Sequence, residues 1–281
     1  MAGIDYEAEY NNRARVPDHQ DIFARWTRDG AAYREARKAD ASLGEKYGAS
    51  ARQTIDLFPA KAGATGPLAM FIHGGYWRSL EPAMHYWCAK GPNAHGIDVA
   101  VAGYDLCPSV TVAAIIEQMR AACVYLWKKR RQRIVAYGHS AGGHLTACLV
   151  ATDWKTVSPD VPEDLVSVGY AISGIFDMTP LLQVSQNADL RMKDDADARS
   201  VSPLFWNVPQ GRVLDAVVGG DESSEFLRQS KTVAQAWNQG PTKTRYEAVP
   251  GANHFTVVDP LMDPASAMTK RVVELAKSAK N

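Results

Sequence analysis

A serine lies between two glycines in the segment 135–144, in the pattern Gly138-x-Ser140-x-Gly142. An apolar, β-branched run precedes this pattern and a run of small residues follows it, which predicts a strand that turns sharply into a helix. Glycines fit so tight a turn because side chains at the flanking positions would collide. The turn would hold the Ser140 hydroxyl above the sheet, with the amides at the helix start aimed at it. The segment therefore predicts a nucleophilic serine.

A second candidate element is the sequence His-Gly-Gly-Tyr-Trp at residues 73–77, directly after an apolar run. Adjacent glycines allow backbone N–H groups to turn toward a substrate carbonyl. We expect the amides of Gly74 and Gly75, together with that of Ala141, to form an oxyanion hole that stabilises charge on the carbonyl oxygen. His73 itself is expected to shape this loop through hydrogen bonds rather than to act as a base.

A serine hydroxyl is a poor nucleophile at neutral pH and needs a general base. Of the seven histidines, six lie before the glycine-flanked serine or beside it, in positions that the turn and helix fix. The remaining one, His254, follows the last predicted strand, where a loop can bring it over Ser140. The sequence therefore predicts His254 as the base.

The carboxylate that orients this base is expected between Ser140 and His254 in the chain, at the end of a strand. Asp221 comes directly after an apolar strand and a Gly-Gly turn, which favours it as the acid. Glu222 and Glu225 are its rivals, although acidic residues at those positions also fit the first turn of the following helix. The predicted triad is Ser140, Asp221 and His254.

Short apolar runs alternate with helix-period stretches along most of the chain. Strands are predicted at 54–58, 68–73, 99–104, 133–138, 166–173, 212–219 and 244–249, and helices at 81–95, 113–128, 141–152, 222–239 and 264–277. The alternation predicts an α/β fold, a mostly parallel central sheet with helices on both faces, in a single domain spanning 1–281. Two segments depart from it, the charged and helix-prone 1–47 and the mixed 177–208, and we expect both to be lids over the site.

Composition narrows the function classes. Lys plus Arg and Asp plus Glu each number 31, a formal net charge of zero, which argues against nucleic acid or an anionic membrane as a partner. No apolar run reaches the roughly 18 residues of a membrane span, no secretory signal is visible, and the four cysteines are scattered singly. We expect a cytoplasmic protein with no metal or other cofactor that acts on a small molecule. The sequence leaves the oligomeric state open, a homodimer included.

Together these residues resemble the α/β-hydrolase superfamily, and in particular its kynurenine formamidase (arylformamidase) branch, which neighbours lipase-like carboxylesterases. The likeness runs from about residue 47 to the end and includes Tyr-Asn-Asn at 10–12. Its motifs are the loop at 73–77, Tyr-Asp-Leu-Cys-Pro at 104–108, Gly-His-Ser-Ala-Gly-Gly-His-Leu at 138–145, Asp-Glu-Ser-Ser-Glu-Phe at 221–226 and Asn-His-Phe at 253–255. Gly143 departs from eukaryotic formamidases, which tend to have alanine there, and 104–108 departs from the Tyr-Arg-Leu-Ala-Pro of many lipase-like esterases.

The resemblance implies the same triad and oxyanion residues, and a reaction in which an acyl group passes to water through a serine ester. A formamide of an aromatic amine is the leading substrate. Tyr76 and Trp77 adjoin the oxyanion loop, and we expect both side chains to contact this substrate. A short-chain aryl or alkyl ester would fit the same pocket, so a carboxylesterase is the alternative. A non-catalytic ligand-binding protein on a hydrolase fold is the more distant one.

Overall fold

Eight strands form one sheet in the computed structural model, which describes residues 3–60, 68–240 and 242–279. The strands are β1 (Ser42–Lys46), β2 (Thr54–Phe58), β3 (Leu68–Ile72), β4 (Asp98–Ala102), β5 (Ile134–His139), β6 (Val168–Ile172), β7 (Val213–Gly219) and β8 (Lys243–Val249). Their order across the sheet is β1-β2-β4-β3-β5-β6-β7-β8. The strands β3 to β8 run parallel, so their carboxyl ends meet at one edge, where ligands of open α/β sheets bind.

The seven predicted strands are confirmed to within two residues at each end, whereas β1 was not predicted. It forms at the sheet edge, antiparallel to β2, within the segment expected to be helical. Four of its five residues are exposed, so it carries no apolar alternation that would indicate a strand. Backbone pairing holds it instead, together with a hydrogen bond from the Gly44 amide to Asp56 (2.6 Å).

Helices cover both faces of the sheet, which confirms the predicted fold class. They are α1 (Tyr6–Tyr10), α2 (Asn12–Arg15), α3 (His19–Ala36), α4 (Lys90–Ala94), α5 (Val112–Arg130), α6 (Ala141–Val150), α7 (Trp154–Val157), α8 (Asn187–Leu190), α9 (Asp195–Ser200), α10 (Ser224–Asn238) and α11 (Ala267–Ser278). Short 3-10 helices lie at Pro82–Ala89, Thr179–Gln183, Pro203–Phe205 and Thr256–Met262. The helix predicted at 81–95 is thus divided into a 3-10 helix and α4. None of the helices in the described ranges is long and apolar enough to span a membrane.

The core is divided between the two faces, as β3 illustrates. Leu68, Met70 and Ile72 belong to one buried cluster, which the side chains of α5, α6 and α10 complete. Ala69 and Phe71 point to the opposite face and belong to a second cluster with α3 and α11. Both faces of the central strand are buried, which explains why it is apolar along its whole length.

Several histidines lie inside this core, away from water. Burial lowers the pKa of His73 to about 3, with a further contribution from neighbouring His85, and lowers the pKa of His85 and of His144 to about 4. In the unfolded chain these rings return to an ordinary pKa near 6.5. Between about pH 6.5 and 4 the unfolded chain therefore binds more protons than the folded one, so acid favours unfolding.

We expect the free energy of unfolding to decrease as the pH is lowered through that window, by up to about 1.4 kcal/mol per pH unit for each buried histidine. Urea unfolding at pH 7.5, 6.0 and 5.0 measures this slope. His85→Gln removes one titrating ring and keeps a donor for the Glu81 carbonyl, so its slope should be shallower. A free energy of unfolding that is constant from pH 7.5 to 5.0 would contradict the buried neutral state.

Candidate active site

Ser140 sits on a sharp turn between β5 and α6. Its backbone has φ 56° and ψ −117°, a conformation that non-glycine residues rarely adopt, and its amide donates to the Ile172 carbonyl (2.8 Å). The neighbouring glycines leave no room for side chains. A Cβ on Gly142 would lie 1.9 Å from the Ile72 carbonyl oxygen, and one on Gly138 would lie 2.4 Å from that of Gly142. The predicted elbow is therefore present and holds the serine in a strained backbone.

His254 lies over Ser140 on the loop after β8. Its Nε2 is 3.1 Å from the Ser140 Oγ, and its Nδ1 is 2.6 Å from a carboxylate oxygen of Glu222. All three side chains are buried. Serine, histidine and carboxylate thus form one continuous line of hydrogen bonds, the geometry of a charge-stabilised nucleophile and base.

The carboxylate beside His254 belongs to Glu222 and not to Asp221, the residue that the sequence predicted to lie there. Asp221 is exposed, and its backbone amide donates to the Ala252 carbonyl (3.0 Å). The turn continues for one more residue, and the Glu222 amide donates back to the Gly219 carbonyl (3.2 Å), which turns the longer side chain inward.

Glu222 also has the environment that a buried carboxylate needs. The oxygen that does not face His254 accepts hydrogen bonds from the Ser173 hydroxyl (2.5 Å) and the Gly219 amide (2.7 Å). Glu222 lies outside α10, because Ser223 is the N-cap of that helix and accepts from the Phe226 amide. A serine cap at this position is a signal from which the sequence could have separated Glu222 from the helix.

A further histidine, His139, supports the His254 loop. Its Nε2 donates to the His254 carbonyl (2.7 Å), and the two ring centroids are 4.8 Å apart. Burial, with the neighbouring His254 ring, holds the pKa of His139 well below its ordinary value. His139 is therefore a neutral donor that holds the backbone at His254.

The predicted oxyanion residues lie next to the nucleophile. A Cβ on Gly74 would be 3.0 Å from the Ser140 Cβ, and Gly75, at φ 106°, lines the same cavity as Ser140. Ala141 is the first residue of α6. Within the described part of the chain, the amides of Gly74, Gly75 and Ala141 donate to no protein acceptor. They are available for a substrate oxygen.

Tyr104 and His73 hold the peptides of this loop from behind. Their rings stack with centroids 4.3 Å apart and are fully buried. The Tyr104 hydroxyl donates to the His73 carbonyl (2.8 Å), and the His73 Nδ1 donates to the Gly74 carbonyl (2.7 Å). In a trans peptide the carbonyl and the following N–H point in opposite directions. Holding these two carbonyls inward therefore turns the Gly74 and Gly75 amides outward.

A cavity of about 230 Å³ opens above Ser140 and His254, larger than the roughly 150 Å³ that accommodates benzene in an engineered protein core. Three parts of the chain supply its wall, namely the N-terminal segment, the oxyanion loop and the segment after β6. These residues include Asn11, Asn12, Arg13, Phe23, Trp26, Tyr76, Arg78, Ser185 and Gln186. The cavity has the size and the aromatic lining of a site for a small aromatic molecule.

Of the two predicted substrate contacts, Tyr76 lines this cavity and Trp77 does not. The Tyr76 hydroxyl donates to the Tyr10 carbonyl (2.5 Å). Trp77 is fully buried in the core, where its indole N–H donates to Nδ1 of His144 (3.2 Å), so its predicted substrate contact is wrong. Both residues have φ 54°, and this turn of the backbone sends their adjacent side chains to different places.

The two segments outside the alternating pattern meet beside the cavity. The Glu7 carboxylate accepts hydrogen bonds from the Ser185 amide (2.7 Å) and hydroxyl (2.9 Å). The Tyr10 hydroxyl donates to Glu225 (2.9 Å), so the N-terminal segment is also tied to α10. The sequence predicted both segments to be lids, but it did not predict that Asn12, Arg13, Ser185 and Gln186 line the cavity.

Comparison with known proteins places the chain among hydrolases. A family model described as alpha/beta hydrolase fold matches residues 69–258. Kynurenine formamidase of Danio rerio is 28% identical over 240 residues, which cover 82% of this chain and 80% of that protein. Kynurenine formamidase of Drosophila melanogaster is 26% identical over 226 residues, which cover 76% and 74%.

Solved structures show the same architecture. A putative thioesterase from Silicibacter sp. TM1040 superposes with a TM-score of 0.87 at 30% identity and covers 96% of this chain and 99% of its own. An esterase from Pyrobaculum calidifontis superposes with a TM-score of 0.67 over 95% of each chain. At 16% identity, this similarity shows a shared fold and nothing more.

Tyr104→Phe tests whether the loop is held as the hydrogen bonds indicate. It removes one hydroxyl behind the oxyanion amides, so we expect turnover to fall roughly tenfold with little change in KM, a smaller loss than that of an oxyanion donor itself. The control is Tyr137→Phe, which removes another buried tyrosine hydroxyl, bonded to the Cys88 carbonyl. Equal kcat losses in the two variants would contradict a role specific to the loop.

Proposed function

Since this chain belongs to the α/β-hydrolase family, as its sequence predicted, we propose that its catalytic triad is Ser140, His254 and Glu222. The observation that carries the proposal is the unbroken hydrogen-bond line from the Ser140 hydroxyl through His254 to Glu222 at the floor of a cavity. A complete triad also argues against a non-catalytic binding protein on the same fold.

The geometry supports an acyl-enzyme mechanism. The Ser140 Oγ attacks the substrate carbonyl carbon while the His254 Nε2 takes the hydroxyl proton. Glu222 accepts the His254 Nδ1–H, which fixes the tautomer and stabilises the imidazolium. His254 then gives the proton to the departing amine or alcohol. Water, deprotonated by the same ring, cleaves the serine ester and restores the enzyme.

We assign the oxyanion hole to the amides of Gly74, Gly75 and Ala141. The charge that develops on the carbonyl oxygen needs donors fixed before the reaction, because reorienting dipoles during it costs free energy. The stacked pair of His73 and Tyr104 behind the loop supplies that rigidity.

We propose arylformamidase activity as the main function. The relatives named kynurenine formamidase match most of this chain, and the cavity next to the base is walled by Phe23, Trp26 and Phe255. An aromatic leaving group would pack against these rings, while a formyl group, the smallest acyl group, needs little room at Ser140.

Ester hydrolysis is the second candidate. The solved structure that shares 30% identity is that of a putative thioesterase, and esterases share the fold. Oxygen and sulfur esters react through the same serine chemistry, so the leaving-group side of the cavity decides between the candidates.

The cytoplasmic location and the single-domain organisation stay predictions, and the oligomeric state stays open.

Glu222→Gln against Asp221→Asn tests which residue is the acid. Glutamine in place of Glu222 keeps the shape but removes the charge that stabilises the imidazolium, so we expect kcat to fall about a thousandfold or more. Asp221→Asn, at an exposed side chain, should stay within about twofold of the wild type. Melting temperatures of both variants show whether folding is intact. The reverse ranking of rates would return the acid to Asp221.

A substrate comparison tests the main function. We expect kcat/KM for N-formylkynurenine to exceed that for p-nitrophenyl acetate and butyrate by roughly a hundredfold, about 2.7 kcal/mol of transition-state preference. Ser140→Ala is the blank for hydrolysis without the enzyme's nucleophile. Rapid ester cleavage with an inert formamide would identify a carboxylesterase instead.

A further inference from the structure

The cavity above Ser140 has an uneven charge. Arg13 and Arg78 line it, and within the described residues no aspartate or glutamate does. Arg78 is already neutralised, because its guanidinium contacts Asp189 (2.5 Å). Arg13 has no carboxylate within salt-bridge distance in the described ranges, and its guanidinium lies 5.7 Å from the centre of the Phe23 ring. One uncompensated cation therefore faces the cavity.

The residue before Arg13 adds an unused donor. Asn12 lines the same cavity and is only 5% exposed. Its side-chain Nδ2 is buried and has no hydrogen-bond partner. Buried amide groups in folded proteins are nearly always paired, so an unpaired one beside a cavity points to a ligand acceptor.

Aromatic rings connect this corner to the catalytic base. Phe255 packs edge-on against His254 with centroids 5.3 Å apart, and Phe23 packs edge-on against Phe255 at 5.2 Å. The Arg13 guanidinium in turn lies over the Phe23 ring, so the contacts run from His254 through Phe255 and Phe23 to Arg13. A flat aromatic leaving group held against the wall at Ser140 would point its distal end toward Arg13 and Asn12.

We propose that Arg13 and Asn12 are the residues of this chain that receive a carboxylate on the leaving group of an aryl formamide, and that they set the preference for it over an uncharged leaving group. The guanidinium supplies charge and paired donors, and the Asn12 amide supplies a third donor. This carboxylate subsite rests on the proposed function for the reaction, but its own claim concerns only the charge of the leaving group.

The test uses pairs of substrates that differ only in charge. Formamidobenzoates and 4-formamidophenylacetate are each compared with the matching primary carboxamide, and 4-acetoxybenzoate is compared with 4-acetoxybenzamide. The quantity of interest is the ratio of kcat/KM for carboxylate over carboxamide. For the wild type we expect a ratio of about ten or more in at least one formamide pair, expressed mainly in KM.

Variants then assign the preference to residues. Arg13→Gln should bring the ratio close to one, and Arg13→Lys, which keeps the charge but not the paired donors, should retain part of it. Asn12→Asp puts a like charge in the subsite and should lower the ratio. Arg15→Gln is the matched control, because it removes the same charge two residues away on α2, outside this cavity, and should leave the ratio unchanged.

The outcomes separate the subsite from the reaction. A wild-type ratio near one in every pair, or an unchanged ratio in Arg13→Gln, overturns the subsite even if formamides are cleaved rapidly. If the formamides are not cleaved, but the acetoxy pair shows a carboxylate preference that Arg13→Gln abolishes, the formamidase proposal is overturned and the subsite is retained. Binding of benzoate but not benzamide to Ser140→Ala, measured by calorimetry, gives the same answer without turnover.

Discussion

The arrangement of the site depends on how closely the turn after β5 approaches the end of β3. At residue 142 the Ile72 carbonyl leaves no space for even one carbon, and a Cβ on Gly74 would lie 3.0 Å from the Cβ of Ser140. This approach sets the distance between the nucleophile and the loop that carries the oxyanion amides. Because two parallel strands paired along their whole length form the support, the distance cannot relax without breaking the sheet.

Glu222 connects the other half of the site. One carboxylate contacts the end of β6 through Ser173, the end of β7 through Gly219 and the loop after β8 through His254. A buried charge is tolerable only when its hydrogen bonds are made. The groups that solvate Glu222 are the same ones that hold the three strand ends together, so the stability of this edge and the position of the base share one cause.

Most of this arrangement could be predicted from the sequence. Six of the seven predicted strands, β2 to β7, are mostly buried and apolar, and the elbow needs its glycines, so both leave a mark in residue type. The carboxylate beside His254 leaves no such mark. Whether Asp221 or Glu222 faces that ring depends on how far the turn continues, and backbone hydrogen bonds to Ala252 and Gly219 decide this. Trp77 was misplaced for a similar reason, since consecutive positive φ angles break the expected direction of neighbouring side chains. The edge strand β1 has no apolar period to detect.

The hydrogen bonds between Glu7 and Ser185 and between Tyr10 and Glu225 join residues about 180 and 215 positions apart in the chain. The segment with Glu7 and Tyr10 is synthesised before the strands, yet its partners Ser185 and Glu225 are made only after most of the sheet. The pocket wall is consequently completed late in synthesis, around a sheet edge that is already in place. Ser140 and much of the wall of its cavity thus belong to different parts of one chain, so the wall can change in evolution while the strands stay as they are.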